Sequence, residues 1–102
     1  MAYNASKGAV VNLTRNLSTD FMRAGVRINC VCPGWVQTGF NDPLLEGVTE
    51  EDVEKLIDRT VPAGRQSDPS EIAAAIAFLA SNDASYVSGI AFVVDGGLTA
   101  AL

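Results

Sequence analysis

The 102-residue sequence predicts an open α/β sheet in which helices pack against two parallel strands. Two runs carry that prediction, residues 26–32 and 90–94. The second is apolar throughout and the first is apolar apart from Arg27 and Asn29, and both read as strands buried on both faces. Helical periodicity fills the stretch between them, and Pro33-Gly34 and Asp95-Gly96-Gly97 close the two runs with turn residues. Strands joined by a helical crossover pair in parallel.

In chain order, residues 3–24 read as one helix. Val10, Leu13, Leu17 and Phe21 recur at helical spacing and form an apolar stripe expected to face a core. Ala5, Gly8 and Ala9 keep the first turns slim, leaving room for another backbone. Gly25 stands where a C-terminal cap is expected. The first strand, 26–32, follows, and a looser stretch runs from 35 to 47. Thr49-Glu50-Glu51-Asp52 reads as a helix start with acidic residues in its first turn, and that helix runs to about Arg59. Val61-Pro62-Ala63-Gly64 ends it. Asp68-Pro69-Ser70-Glu71 places an N-cap, a proline at the first helical position and a glutamate at the third. Ile72, Ile76 and Leu79 mark the expected buried face of this last helix. A polar turn over 81–85 leads into the second strand. Two strands cannot cover three helices, and no strand precedes the first helix. The unpaired apolar edge of the inner strand is an expected aggregation site.

Composition narrows the function classes. Hydrophobic residues make up 48% and charged residues 19%, a globular balance for one domain at most. A net charge of -5 without a basic run argues against nucleic-acid or anionic-membrane partners. No stretch has the length of a membrane span and the N-terminus has no signal-peptide pattern, so the cytoplasm is the expected location. The absence of histidine removes the commonest general base and metal ligand. Cys30 and Cys32 sit two apart in a strand, with both thiols on one side of the sheet. Two ligands do not close a zinc site, and no other metal ligation is expected; the pair reads as small core residues.

Tyr3 and Lys7 carry the clearest chemistry. Four residues apart on a helix they are surface neighbours. A free phenol titrates near ~10, too high to trade protons easily at neutral pH. A neighbouring ammonium and the positive end of the helix dipole both favour the phenolate. The result is a tyrosine acid/base suited to protonating a carbonyl oxygen or deprotonating an alcohol. In open α/β sheets ligands bind beyond the carboxyl ends of the strands, here at Pro33-Gly34 and the following Trp35-Val36-Gln37-Thr38. Glycine at that corner lets backbone approach a planar ligand closely. Trp35 and Phe40 either wall the pocket or simply pack. Asn4 and Ser6 support the first helical turn, Glu50, Glu51, Asp52 and Glu54 form a solvated face, and Tyr86 is structural.

Taken in order, these pieces resemble the C-terminal half of a short-chain dehydrogenase/reductase. The matching motifs are Tyr3-x-x-x-Lys7, Arg27-Ile28-Asn29, Pro33-Gly34 with Thr38, Gly64-Arg65, Ile72 through Leu79-Ala80-Ser81, Tyr86-Val87-Ser88-Gly89 and Val93-Val94-Asp95-Gly96-Gly97. They span nearly all of residues 1–102. The resemblance implies part of a Rossmann-like doubly wound parallel sheet and an oxidoreductase that uses NAD or NADP on a small-molecule carbonyl/alcohol pair. It implies that Tyr3 transfers the substrate proton and, with Lys7, takes part in binding the cofactor. Lys7 lowers the tyrosine pKa and holds the nicotinamide ribose. Pro33, Gly34, Val36 and Thr38 line the nicotinamide, and residues of about 39–60 form a substrate lid. It also implies a homo-oligomer, dimer or tetramer, assembled through the long helix and the last helix and strand.

Three family parts have no counterpart here: the Gly-rich phosphate loop, the carbonyl-polarising serine and the relay asparagine. The chain is therefore expected to hold half of an active site and to be inactive alone, with Met1 internal to a longer protein. Homo-oligomerisation repairs neither loss, since every copy lacks the same half. Two other readings stand beside this one. The first is a non-enzymatic remnant that pairs with full-length relatives through the long helix. The second is a small stand-alone α/β fold with a chance Tyr/Lys pair.

Overall fold

Helix starts appear where the sequence supplies donors and acceptors for them. The structure, a computed structural model, describes residues 2–37 and 47–102, apart from the side chain of Tyr3. Thr38, Phe40 and residues 39–46 of the expected lid lie outside the described residues. The element order is α1 (Ala2–Phe21), β1 (Cys30–Pro33), α2 (Glu50–Thr60), α3 (Pro69–Ala80) and β2 (Ala91–Val94). Among the described residues β1 and β2 form a two-stranded parallel sheet. The chain divides into two compact units, Met1–Cys32 with Ala74–Val93 and Pro33–Ala73 with Val94–Leu102.

In the first unit α1 runs into a short 3-10 turn, Met22–Ala24, and Gly25 caps it in the left-handed conformation at φ 82°, donating its N–H to the Met22 carbonyl. The buried side of α1 is not the expected stripe. Thr14 and Ser18 are the buried residues, while Val10, Leu13 and Phe21 are about half exposed. Ser18 and Ser88 share a hydroxyl hydrogen bond of 2.7 Å, and Thr14 donates to the Val10 carbonyl at 2.8 Å. Short hydroxyl side chains let the helix come close, so hydrogen bonds rather than apolar bulk fix its inward side. Among the described residues nothing lies within 4 Å of where a Cβ on Gly8 would stand.

β1 is shorter at its start than the apolar run 26–32, because residues 27–29 make different bonds. The Arg27 guanidinium donates to the carbonyls of Leu79 (2.7 Å), Ser81 (3.0 Å) and Val87 (3.4 Å), closing the C-terminus of α3 and the turn after it. Asn29 donates to the Val87 carbonyl and accepts from the Ile90 N–H. Side chains thus replace the first rungs of the ladder. Cys30 and Cys32 are half-buried rather than core residues. Burial, with Cys30 beside it, pushes the Cys32 thiol pKa up, which disfavours the reactive thiolate. On α3 the inward residues are Ile72, Ala75 and Leu79, and Ile76, expected inside, is 53% exposed. Phe78 meets Phe92 of β2 edge-to-face with ring centroids 6.5 Å apart. Tyr86, read as structural, is 98% exposed.

In the second unit the Thr49 hydroxyl caps α2 by accepting the Asp52 N–H at 3.1 Å. Glu50, Glu51 and Asp52 fill its first turn and Arg59 its last, both favourable to the helix dipole. Ile57 is its buried residue, and Val61 just beyond is buried as well. α3 opens with the expected reciprocal cap: Asp68 accepts the Ser70 N–H, and Glu71 accepts the Asp68 N–H, each at 2.9 Å.

Candidate functional site

The residues singled out by sequence fall in both units. Tyr3 and Lys7 lie on α1, four residues apart in continuous helix, with Lys7 exposed. Pro33, Gly34 and Val36 belong to the second unit, where the chain leaves the carboxyl end of β1.

There the backbone is held from two sides. The Gly34 N–H donates to the Val94 carbonyl at 3.0 Å. A Cβ on Gly34 would stand 2.8 Å from the Asp95 Cβ and 2.9 Å from its Cα, so no side chain fits. Glycine is required by this close approach. Two residues on, Val36 forms a parallel bridge with Ser67. Ser67 donates to the Trp35 carbonyl, and Gln37 donates to the Ser67 carbonyl, both at 2.9 Å. In such a bridge the flanking residues use the bonds, so the N–H and C=O of Val36 itself point the other way. They present one donor and one acceptor side by side, the complement of a primary carboxamide.

Ser67, which sequence reasoning passed over, and Asp95, read there only as a turn and motif residue, are what hold this corner. Ser67 sits ahead of α3, where Arg65 makes a bidentate pair with Glu71 (2.8 and 3.1 Å). Asp95 accepts the Gly97 N–H at 2.9 Å, the Thr99 N–H at 3.0 Å and the Thr99 hydroxyl at 2.7 Å, which fixes the turn beside Gly34. Hydrogen bonds from Thr99 hold the Asp95 carboxyl below the usual carboxylate range. A helix-start signal was legible at Asp68-Pro69-Ser70-Glu71, but nothing in it pointed back to Arg65 or to a bridge at Ser67.

Trp35, Val61, Ser67, Glu71 and Asp95 also line a cavity of about 70 Å³, into which the buried Ser67 hydroxyl brings a group with no partner among the described residues. That volume suits ordered water rather than a nicotinamide ring. Trp35 therefore packs at a cavity rim. Among the described residues no group of three or more His, Cys, Asp or Glu could hold a metal ion, and no helix is long and apolar enough to cross a membrane.

The Arg65 side chain, with the Asp68 N–H, lowers the Glu71 pKa from 4.5 to about 2. A carboxylate with a depressed folded-state pKa stabilises fully above its ordinary value and loses that contribution as pH falls through the folded value. The melting temperature should therefore drop between pH 4.5 and about 2, in thermal melts followed by circular dichroism. Glu71→Gln should flatten that drop. An unchanged profile would mean the pair contributes nothing to the fold.

Against known proteins, the family profile described as enoyl-(acyl carrier protein) reductase matches residues 1–99. The chain is 48% identical over 100 residues to the 2-(S)-hydroxypropyl-CoM dehydrogenase 3 of Xanthobacter autotrophicus, covering 97% of this chain and 39% of that protein. It superposes on a 4-hydroxyisoleucine dehydrogenase complexed with NADH at a TM-score of 0.86 and 29% identity, covering 97% of this chain and 40% of that one. For an Agrobacterium tumefaciens dehydrogenase with bound NADP the TM-score is 0.84 and the identity 34%, covering 96% and 39%. The chain thus spans about two-fifths of the length of the relatives it matches, in their C-terminal part.

Proposed function

Because this chain belongs to the short-chain dehydrogenase/reductase family, we propose that it forms the proton-transferring, nicotinamide-facing part of an NAD(P)-dependent oxidoreductase that interconverts a carbonyl and an alcohol. The observation that carries the reading is the corner at Gly34. There Ser67 and Asp95 brace a backbone whose Val36 N–H and C=O are turned outward.

In this reading Tyr3 is the general acid/base, moving the substrate hydroxyl proton to or from its phenol oxygen. Lys7, one helical turn away, stabilises the phenolate and binds the ribose hydroxyls. Pro33, Gly34, Val36 and Thr38 orient the nicotinamide, with Val36 pairing its carboxamide. The nicotinamide, when bound, supplies or accepts the hydride. Residues of about 39–60 close over the substrate, a compartment such as the cytoplasm suits the chemistry, and the active species is a homo-oligomer of the longer fold. Pyrophosphate contacts and a carbonyl-polarising donor would have to come from outside these residues. The chain alone is therefore inactive.

Fluorescence titration of the purified chain with NADH and with NADPH tests this. No saturation up to millimolar cofactor is expected for the chain alone, and a longer assembly that binds should lose affinity on Lys7→Ala. Saturable binding to the chain alone would overturn the claim that it cannot hold cofactor unaided. A second reading, a non-enzymatic subunit that pairs with full-length relatives, is favoured by the outward stripe of Val10, Leu13 and Phe21. It requires mixed oligomers on native gels, and their absence would remove it.

A further inference from the structure

Ser67 makes two kinds of contact, and only one of them is complete. Its backbone carries both bonds of the bridge to Val36: the N–H donates to the Trp35 carbonyl, and the carbonyl accepts the Gln37 N–H. Its hydroxyl is buried and has no partner among the described residues. A hydroxyl shut away from bulk water without a partner weakens the fold that buries it. Buried hydroxyls in folded proteins accordingly bond to protein or to held water.

The surroundings point to water. Ser67 lines the cavity of about 70 Å³ with Trp35, Val61, Arg65, Glu71 and Asp95, all within the second unit. A held water needs on the order of 10–15 Å³ and a few polar partners. The volume meets the first condition, and side chains on the lining meet the second. Arg65 donates to the Gln66 carbonyl and to both Glu71 oxygens and still has N–H groups to offer. Glu71 accepts from Arg65 and from the Asp68 N–H and keeps lone pairs beyond them. The bridge itself needs the support. Val36 and Ser67 pair in isolation, outside either strand, so among the described residues no neighbouring rung holds Ser67 in register. A side chain anchored in the cavity does.

We infer that Ser67 is a positioning residue: its hydroxyl holds ordered water in this cavity, and the held water fixes the bridge that turns the Val36 N–H and C=O outward. A Ser67 free to shift would take the Trp35 and Gln37 bonds with it, and the Val36 pair would lose its aim. The water site and the steadied bridge stand on the geometry of the second unit alone. Their effect on a nicotinamide rests on the oxidoreductase reading, and the two are measured separately.

The 102-residue chain decides the first part. Ser67→Ala deletes only the hydroxyl, and the sign of the change in melting temperature separates a dry site from a wet one. Deleting a dry, unpaired hydroxyl would raise it, whereas deleting the anchor of a held water should lower it by about 5 °C. Oxygen-17 relaxation dispersion of the solvent, which counts long-lived internal waters, should lose amplitude in the same variant. Amide exchange reads the bridge: the Gln37 and Ser67 N–H groups should exchange about tenfold faster, while Gly34, bonded to Val94, keeps its rate. Ser67→Thr retains the hydroxyl and should restore all three signals. A raised melting temperature, an unchanged water count or a Gln37 amide indifferent to Ser67→Ala would each overturn the inference. In a longer assembly that turns over, Ser67→Ala should raise the KM for NAD(P)H about fivefold and leave kcat near the parent, with Ser67→Thr again restoring it. An unchanged KM beside a quickened Gln37 amide would overturn the positioning role. An assembly that never binds NAD(P)H would defeat the oxidoreductase reading, and the measurements on the chain alone would still decide the water site.

Discussion

Replacing Tyr3 by phenylalanine in any assembly of this chain that turns over is expected to lower kcat by about 10²–10⁴-fold, the usual worth of a positioned acid/base. Phenylalanine keeps the ring and loses only the hydroxyl, so cofactor affinity should fall by less than kcat. Under the proposed function a proton must leave or reach the substrate oxygen, and the 102 residues hold no histidine to carry it. The pH profile gives a second reading of the same group. Under the proposed function the phenolate would be the active form in alcohol oxidation, so the rate should fall as pH drops through the phenol pKa. Lys7→Met removes the neighbouring cation, and the falling limb should move upward toward the ~10 of a free phenol. A Tyr3→Phe assembly that keeps its rate would take the proton-transfer role from this residue.

Arg27→Ala is expected to be the most costly substitution in the described fold. One guanidinium satisfies the carbonyls of Leu79, Ser81 and Val87. Leu79 lies in the last turn of α3, where helical carbonyls have no partner of their own, while the Ser81 carbonyl also accepts the Ala84 N–H and the Val87 carbonyl the Asn29 amide. Removing the side chain takes the donor from the Leu79 carbonyl and deletes charge-assisted bonds to all three, at a cost of about 2–3 kcal/mol. For a chain near 100 residues that corresponds to a fall in melting temperature of roughly 10–20 °C. Lysine should restore only a minor part, because a single ammonium cannot spread over three carbonyls as the planar fork does. A thermal melt of Arg27→Ala that overlays the parent would show those carbonyls to be satisfied by water at no cost.

Much of the fold was legible. Thr49 with three acids behind it placed α2 from residue 50, and Asp68-Pro69-Ser70-Glu71 placed α3 from 69, because caps are local chemistry. The two apolar runs located both strands and their parallel pairing. Residues 27–29 were misread as strand because a run of residues reports burial, not which group takes each backbone bond. Arg27 and Asn29 bond across about sixty positions of sequence, and spacing carries no sign of that. The α1 stripe failed differently. Periodicity correctly showed that Val10, Leu13 and Phe21 share a face, but it cannot say what covers that face. Short hydroxyls at Thr14 and Ser18 won the inward side. Of the candidate site, the corner at Pro33-Gly34 could be read from the rule that ligands gather at strand carboxyl ends. The bracing by Ser67 and by Asp95, the latter read only as a turn and motif residue, could not, since each lies at least thirty residues along the chain.

The inward hydroxyl seam on α1 also separates two kinds of evolutionary change. Ser18, Ser88 and Thr14 settle how the helix seats, while Val10, Leu13 and Phe21 stand apart from that task. Under the pairing reading of that outer face, drift along it rewrites which polypeptides a lineage recognises without refolding the helix that carries Tyr3. Drift in the seam has no such freedom. Descendants should therefore diversify in their associations faster than in their architecture.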